Sequence, residues 1–275
     1  MPRLSELPAY EPIAGLIYGA SRSGKTFLCG TLGSRTAWVN IGLGIATIKS
    51  SYFRNLIKSQ TGEDFNPLIE TVTEDSIPDK PDGYTQVCNL VESFLEMKDI
   101  DHIVIDDLTQ LRRMGMTEAM EVNEMLGKSQ SLKESKRVKA LSPAIQDYGQ
   151  EMSLTQQFCA NYIRDCKVQG KNLFLTAHER KFLNPASRPG GEETVRKITP
   201  GFTGKTHPDE VTGLFDFVWH MESFGAGERI KYYAITEGDS AVQAGTRYPK
   251  IFPSRWENPN LLKAVEAIKK GEAVK

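Results

Sequence analysis

The chain has 275 residues, 39% of them hydrophobic and 25% charged, and Lys+Arg 34 against Asp+Glu 35 leaves a formal net charge of −1. That balance excludes wholesale disorder and a bulk basic field, so any nucleic-acid binding must come from local patches. No apolar run reaches the roughly 20 residues that span a bilayer, and MPRLSELPAY carries no apolar signal segment, so a soluble cytoplasmic protein without a membrane partner is expected. Cys29, Cys88, Cys159 and Cys166 form no CxxC pair, which fits a reduced compartment and gives no zinc signature.

Residues 1–12 carry three prolines and read as a leader. Ile13–Tyr18 is a short apolar run that breaks at a Gly/Ser cluster, as a buried strand does, and Thr26–Cys29 suits the first turns of a helix. Thr36–Ile41 and Pro67–Val72 are further strand candidates. Val87, Leu90, Val91, Phe94 and Leu95 recur at helical spacing within 84–97. Asp101–Asp106 is an apolar strand ending in acids; a long polar, charged region follows, then a helix over about 144–168 and a strand over Asn172–Ala177. Strands alternating with helices predict an α/β fold with a mainly parallel sheet. Segments around Phe215–His220 and Arg229–Ile235 flank Gly225-Ala226-Gly227 as an antiparallel β-hairpin, and Asn260–Lys270 reads as a terminal helix. The expected organisation is a leader (1–12), one α/β domain (13–256, with an antiparallel edge over 214–252) and a helical tail (257–275).

Gly19-Ala20-Ser21-Arg22-Ser23-Gly24-Lys25-Thr26 is a complete GxxxxGK[ST] motif between a strand and a helix. The chemistry needs that order: glycines let backbone N–H groups turn inward around phosphate oxygens, and the helix start adds partial positive charge. Residues Gly19 to Phe27 are thus candidates to bind ATP, with Lys25 reaching the β/γ-phosphates and the Thr26 hydroxyl ligating Mg²⁺. The matching acid is Asp106, about eighty residues on at the end of a neighbouring apolar strand, holding the metal as a Walker-B Asp does. Asp107 either orients or deprotonates the attacking water or caps the following helix. Gly201–Thr206 imitates a second phosphate loop, but Thr199 stands where the first glycine belongs, so a plain loop is expected.

Two stretches follow strand ends on the nucleotide side. One, within 108–142, holds Lys128, Lys133, Lys136, Arg137 and Lys139; the other, 179–207, holds Arg180, Lys181, Arg188, Arg196, Lys197 and Lys205. As flexible loops they would track a phosphodiester backbone, or they are solvated loops of ordinary charge. Phe182 and Phe202 would stack on bases or anchor the loop. His178, after the strand, either touches the γ-phosphate or caps the strand end, and Arg247 lies in a turn that reaches a neighbouring subunit's nucleotide or is plain surface.

IYGASRSGKT, HIVIDDLTQL, Asp147-Tyr148-Gly149, Leu173–His178 and the late segment from Pro200 to Asp216 with its hairpin occur in an order that resembles the phage-encoded, RecA-like P-loop ATPases, the core-only recombinases and single-strand-annealing proteins. The resemblance covers about 13–255. It implies a RecA-like core, head-to-tail homo-oligomers in rings or filaments, ATP and Mg²⁺ as cofactors, single-stranded DNA as ligand, a single-stranded-DNA-binding protein as a further partner, and the host cytoplasm as location. On that mapping His178 is the γ-phosphate sensor, 179–200 the second DNA loop and Arg247 the trans contact. Such enzymes carry a catalytic Glu after the second strand; this chain reads Asn40-Ile41-Gly42-Leu43-Gly44 there, so Asp107 takes over the water or hydrolysis is slow.

Overall fold

The computed structural model describes residues 11–41, 44–62, 64–73, 83–126, 143–184, 194–204, 207–225 and 230–274. Apolar, β-branched runs form the parallel strands β1 (Ala14–Gly19), β2 (Thr36–Asn40), β3 (Leu68–Thr71), β4 (His102–Asp106) and the first half of β5 (Asn172–Asn184), side by side in the order β3-β2-β4-β5-β1. Every residue of β1, β2 and β4 is buried, which is what a sheet covered on both faces demands. Beyond β1 lies β7 (Phe217–Phe224), still parallel; β8 (Lys231–Ile235), β9 (Gly245–Thr246) and β10 (Arg255–Glu257) then add antiparallel. The expected α/β architecture with an antiparallel hairpin extension is what the chain adopts.

Alternation along the strands divides the interior into two layers. Leu16, Tyr18, Val39, Ile105 and Leu175 face α4 (Gly83–Glu96), α5 (Leu108–Met125) and α6 (Ile145–Val168). Ile17, Trp38, Val104, Phe174 and Trp219 face α1 (Lys25–Gly30), α2 (Ala46–Lys49), α3 (Ser51–Thr61) and α8 (Leu261–Lys270). Helix α8 is stitched into this second layer: Asn260 Oδ1 accepts from the Lys263 N–H at 3.0 Å, and the Leu261 N–H donates to Thr31 Oγ1 at 2.8 Å. An N-cap of this kind contributes about 1 kcal/mol.

Two departures from the sequence reading matter for function. The polar region after Asp107 is not a loop from 108: residues 108–125 form α5, which buries Leu108, Leu111, Met114, Ala119 and Met120. Its Leu, Met, Ala and Glu residues are strong helix formers, and its apolar stripe is narrow because only one side meets the sheet and α6. Likewise β5 does not stop at Ala177. It runs on to Asn184 and pairs antiparallel with β6 (Thr194–Pro200), so the expected loop is for the most part a two-stranded ribbon. Ladder hydrogen bonds rather than burial hold it, and its charged residues therefore carry no strand pattern. Helix α7 (His207–Thr212) follows, and Lys128, Lys133, Lys136, Arg137, Lys139, Arg188 and Lys205 lie outside the described residues. Among the described residues, no helix is long and apolar enough to cross a membrane.

Candidate nucleotide site

Strand β1 delivers Gly19 to the edge of the sheet, and the chain turns through Ala20–Gly24 into α1. Gly24 has φ 94°, and a Cβ there would lie 2.5 Å from the Tyr232 ring, so both backbone and space require glycine. Arg22 is also left-handed, at φ 64°. Lys25 folds back over the loop, its Nζ donating to the Gly19 carbonyl at 3.0 Å and the Ala20 carbonyl at 2.8 Å. Burial lowers the pKa of this amine; the carboxylate of Asp106 opposes that shift. Ser23 Oγ, 2% exposed, has no partner among the described atoms.

At the tips of the neighbouring strands stands a row of polar side chains. Asp106, 6% exposed, accepts from Thr26 Oγ1 through Oδ2 at 2.7 Å and from Thr176 Oγ1 through Oδ1 at 2.5 Å. Burial pushes its carboxyl up, and the two hydroxyls pull it back. Parallel register continues the row to Asn40, which pairs with Asp106 on one side and Thr71 on the other. A Cβ at Gly44 would come within 2.8 Å of Thr26 Oγ1 and 2.9 Å of Asp106 Oδ2. Space is thus kept beside a carboxylate and a hydroxyl, hard oxygen donors of the kind Mg²⁺ selects. The residues present fit both a phosphate chain and its metal.

Asp107 caps the following helix, one of the two roles the sequence left open, and also faces His178. Its Oδ1 accepts from the Gln110 N–H at 2.8 Å, capping α5, while Oδ2 lies 3.2 Å from His178 Nε2. His178 is fixed from behind, its N–H donating to Thr109 Oγ1 at 2.9 Å. Lys25, Thr26, Phe27, Gly44, Thr71, Asp106, Asp107, Gln110, His178 and Tyr232 line one cleft of about 990 Å³. Sequence reasoning missed Thr176, Gly44 and Tyr232. Thr176 was visible as the single hydroxyl in the run Leu173-Phe174-Leu175-Thr176-Ala177; Tyr232, stacked on Phe27 with ring centroids 5.5 Å apart, gave no local signal.

The remaining candidates lie elsewhere. Arg247 sits at the opposite end of the strands from Gly19, donating to Asp216 Oδ1 at 3.2 Å and to the Gly213 carbonyl at 2.8 Å. On the ribbon, Lys181 pairs with Glu179 at 3.0 Å and Lys197 with Asp209 at 3.3 Å. Arg180 donates to the Phe202 carbonyl and lies 4.8 Å over the Phe182 ring, and Arg196 is exposed. Phe202, 2% exposed, anchors the chain in the core and is not free to stack on a base.

A family model described as an AAA domain, AAA_24, matches residues 11–248. The chain belongs to this AAA-domain family. It is a nucleotide-binding P-loop ATPase domain, and the cleft around Lys25 is where its motif residues converge. No curated protein matches the chain. Among solved structures, the flagellar accessory protein FlaH from Methanocaldococcus jannaschii aligns with 12% identity and a TM-score of 0.41, over 90% of this chain and 84% of that one.

Proposed function

We propose that the protein is an ATP- and Mg²⁺-dependent, single-stranded-DNA-binding ATPase that assists annealing or strand exchange in phage DNA recombination, working as a head-to-tail homo-oligomer. The single observation that carries this reading is the continuity of β5. One strand holds Thr176 against Asp106, His178 against Asp107, and then runs unbroken into a ribbon bearing Arg180 and Lys181, with Arg196 and Lys197 on its partner strand. A change felt at the phosphate end is therefore one residue away from the first charge of the ribbon. The Lys197–Asp209 pair is exposed and worth little, so a phosphodiester backbone displaces Asp209 at small cost, whereas Glu179 stays with His220 and only the exposed Lys181 amine turns to the phosphate.

In this site Lys25 gives up the Gly19 and Ala20 carbonyls for β- and γ-phosphate oxygens. Thr26 and Asp106 would hold Mg²⁺, which supplies charge neutralisation on those oxygens. Asp107, steadied by the Gln110 N–H, takes the proton as a water oxygen bonds to the γ-phosphorus and the bond to the bridging oxygen breaks. His178 keeps that carboxylate turned toward the cleft.

The test is ATP turnover with and without single-stranded oligonucleotide, together with oligonucleotide affinity across a salt series. Turnover should rise with DNA, and affinity should depend on ATP and fall as salt rises. Nucleotide-dependent oligomers with no oligonucleotide affinity would instead identify an ATPase that organises protein partners.

A further inference from the structure

The two hydroxyls on Asp106 have different circumstances. Thr26 belongs to the phosphate loop, and its hydroxyl is the one the motif commits to a cation. Thr176 belongs to β5, which is hydrogen-bonded on one side to β1 and on the other to β4, with Ile17 opposite Thr176 and Ile105 opposite Leu175. It is 0% exposed, and its Oγ1 donates to Asp106 Oδ1 at 2.5 Å. When Thr26 turns to a metal, the bond from Thr176 is the side-chain hydrogen bond that stays.

The free space agrees with this division. A Cβ at Gly44 would fill the volume next to Thr26 Oγ1 and Asp106 Oδ2, at 2.8 and 2.9 Å, whereas its distance to the carboxyl carbon is 3.7 Å. The room lies beside Oδ2, and Oδ1 is the oxygen that Thr176 occupies. A carboxylate whose one oxygen is tied to a rigid central strand presents the other in a fixed direction, which is how outer hydrogen bonds orient groups around a metal.

From this geometry we infer that Thr176 is a positioning residue for the metal: it locks the Asp106 carboxylate with Oδ2 facing the space beside Thr26 and Gly44, and so sets the affinity for the divalent cation that accompanies the nucleotide. The inference deepens the nucleotide-site reading and needs nothing of DNA binding.

The experiment compares wild type with Thr176→Val, which keeps the shape and removes the donor, and Thr176→Ser, which keeps the donor. Mn²⁺ binding in the presence of ATP is followed by electron paramagnetic resonance, and ATP binding in EDTA by calorimetry. Thr176→Val should weaken Mn²⁺ about 10–100-fold while ATP affinity in EDTA stays within about 2-fold, and Thr176→Ser should return Mn²⁺ affinity to near wild type. Unchanged Mn²⁺ affinity in the valine variant overturns the inference, as does equal loss of ATP affinity in EDTA or failure of serine to restore the metal. If Thr176→Val does not fold, Thr176→Ala is read against Thr176→Ser in the same titrations. A wild type that binds neither ATP nor Mn²⁺ would sink the nucleotide-site reading instead, a distinguishable result.

Discussion

Strand β5 lives in two environments. Residues 172–177 are buried, with 173–175 paired to both β1 and β4, and Thr176 is the polar side chain there that meets Asp106; from Glu179 onward the strand has one partner, β6, and its side chains are mostly exposed. The buried half cannot move without breaking two ladders, so groups attached to it are held in direction. The exposed half is held by a single backbone ladder to β6, and the pairs between its exposed charges are ones that water and other ions can replace. Rigidity at the phosphate end and exchangeable contacts at the ribbon are what an ATPase needs if nucleotide is to alter the binding of something else.

That contrast predicts effects of very different size. The largest is at the phosphate loop: Lys25→Ala removes a charged donor from the buried end, and ATP affinity by calorimetry should fall by about 100-fold or more. Next comes Asp107→Asn, which should lower kcat by about 100-fold or more with ATP affinity nearly kept, because the proton acceptor is lost and the bond to Gln110 survives. An unchanged rate would remove Asp107 as the base.

Glu179 stands at the junction. Its hydrogen bond from His220 at 2.8 Å, aided by Lys181, holds its carboxyl down at about 2 against an ordinary 4.5. A depressed carboxyl adds stability above its unfolded pKa and loses it as pH falls through the folded one. Wild type should therefore weaken between about pH 4.5 and pH 2, and Glu179→Gln should flatten that limb while costing about 2 kcal/mol at neutral pH in urea unfolding. The smallest change in stability belongs to the ribbon: Lys181→Ala or Lys197→Ala should shift unfolding by less than about 0.5 kcal/mol. Each should nevertheless reduce the salt slope of oligonucleotide binding by about 1, and an unaltered slope would break the link between ribbon and DNA.

The phosphate loop was legible because its residues are contiguous and its strand–loop–helix order is local. Asp106 was legible because an apolar strand ending in acids is a short pattern. Helix α5 escaped because its burial is partial, against α6 on one side and the sheet on another, which leaves few apolar letters in a charged segment. The ribbon escaped because alternation reports a buried face, and His178-Glu179-Arg180-Lys181 has none. The Gly201–Thr206 imitation was dismissed from sequence because Thr199 stands where the first glycine belongs, and Gly201, directly after β6, roots the ribbon, its N–H donating to the His178 carbonyl at 2.7 Å.

By itself the amino-acid sequence determined a P-loop α/β domain, its lysine, its threonine and its acid, since each depends on neighbours along the chain. Only the tertiary structure decided that Thr176 holds Asp106, that Gly44 leaves room beside it, and that Asp107 meets His178. Those contacts join residues 62 to 71 apart through strand register and loop path, and register is set by the packing of the whole sheet rather than by any one segment.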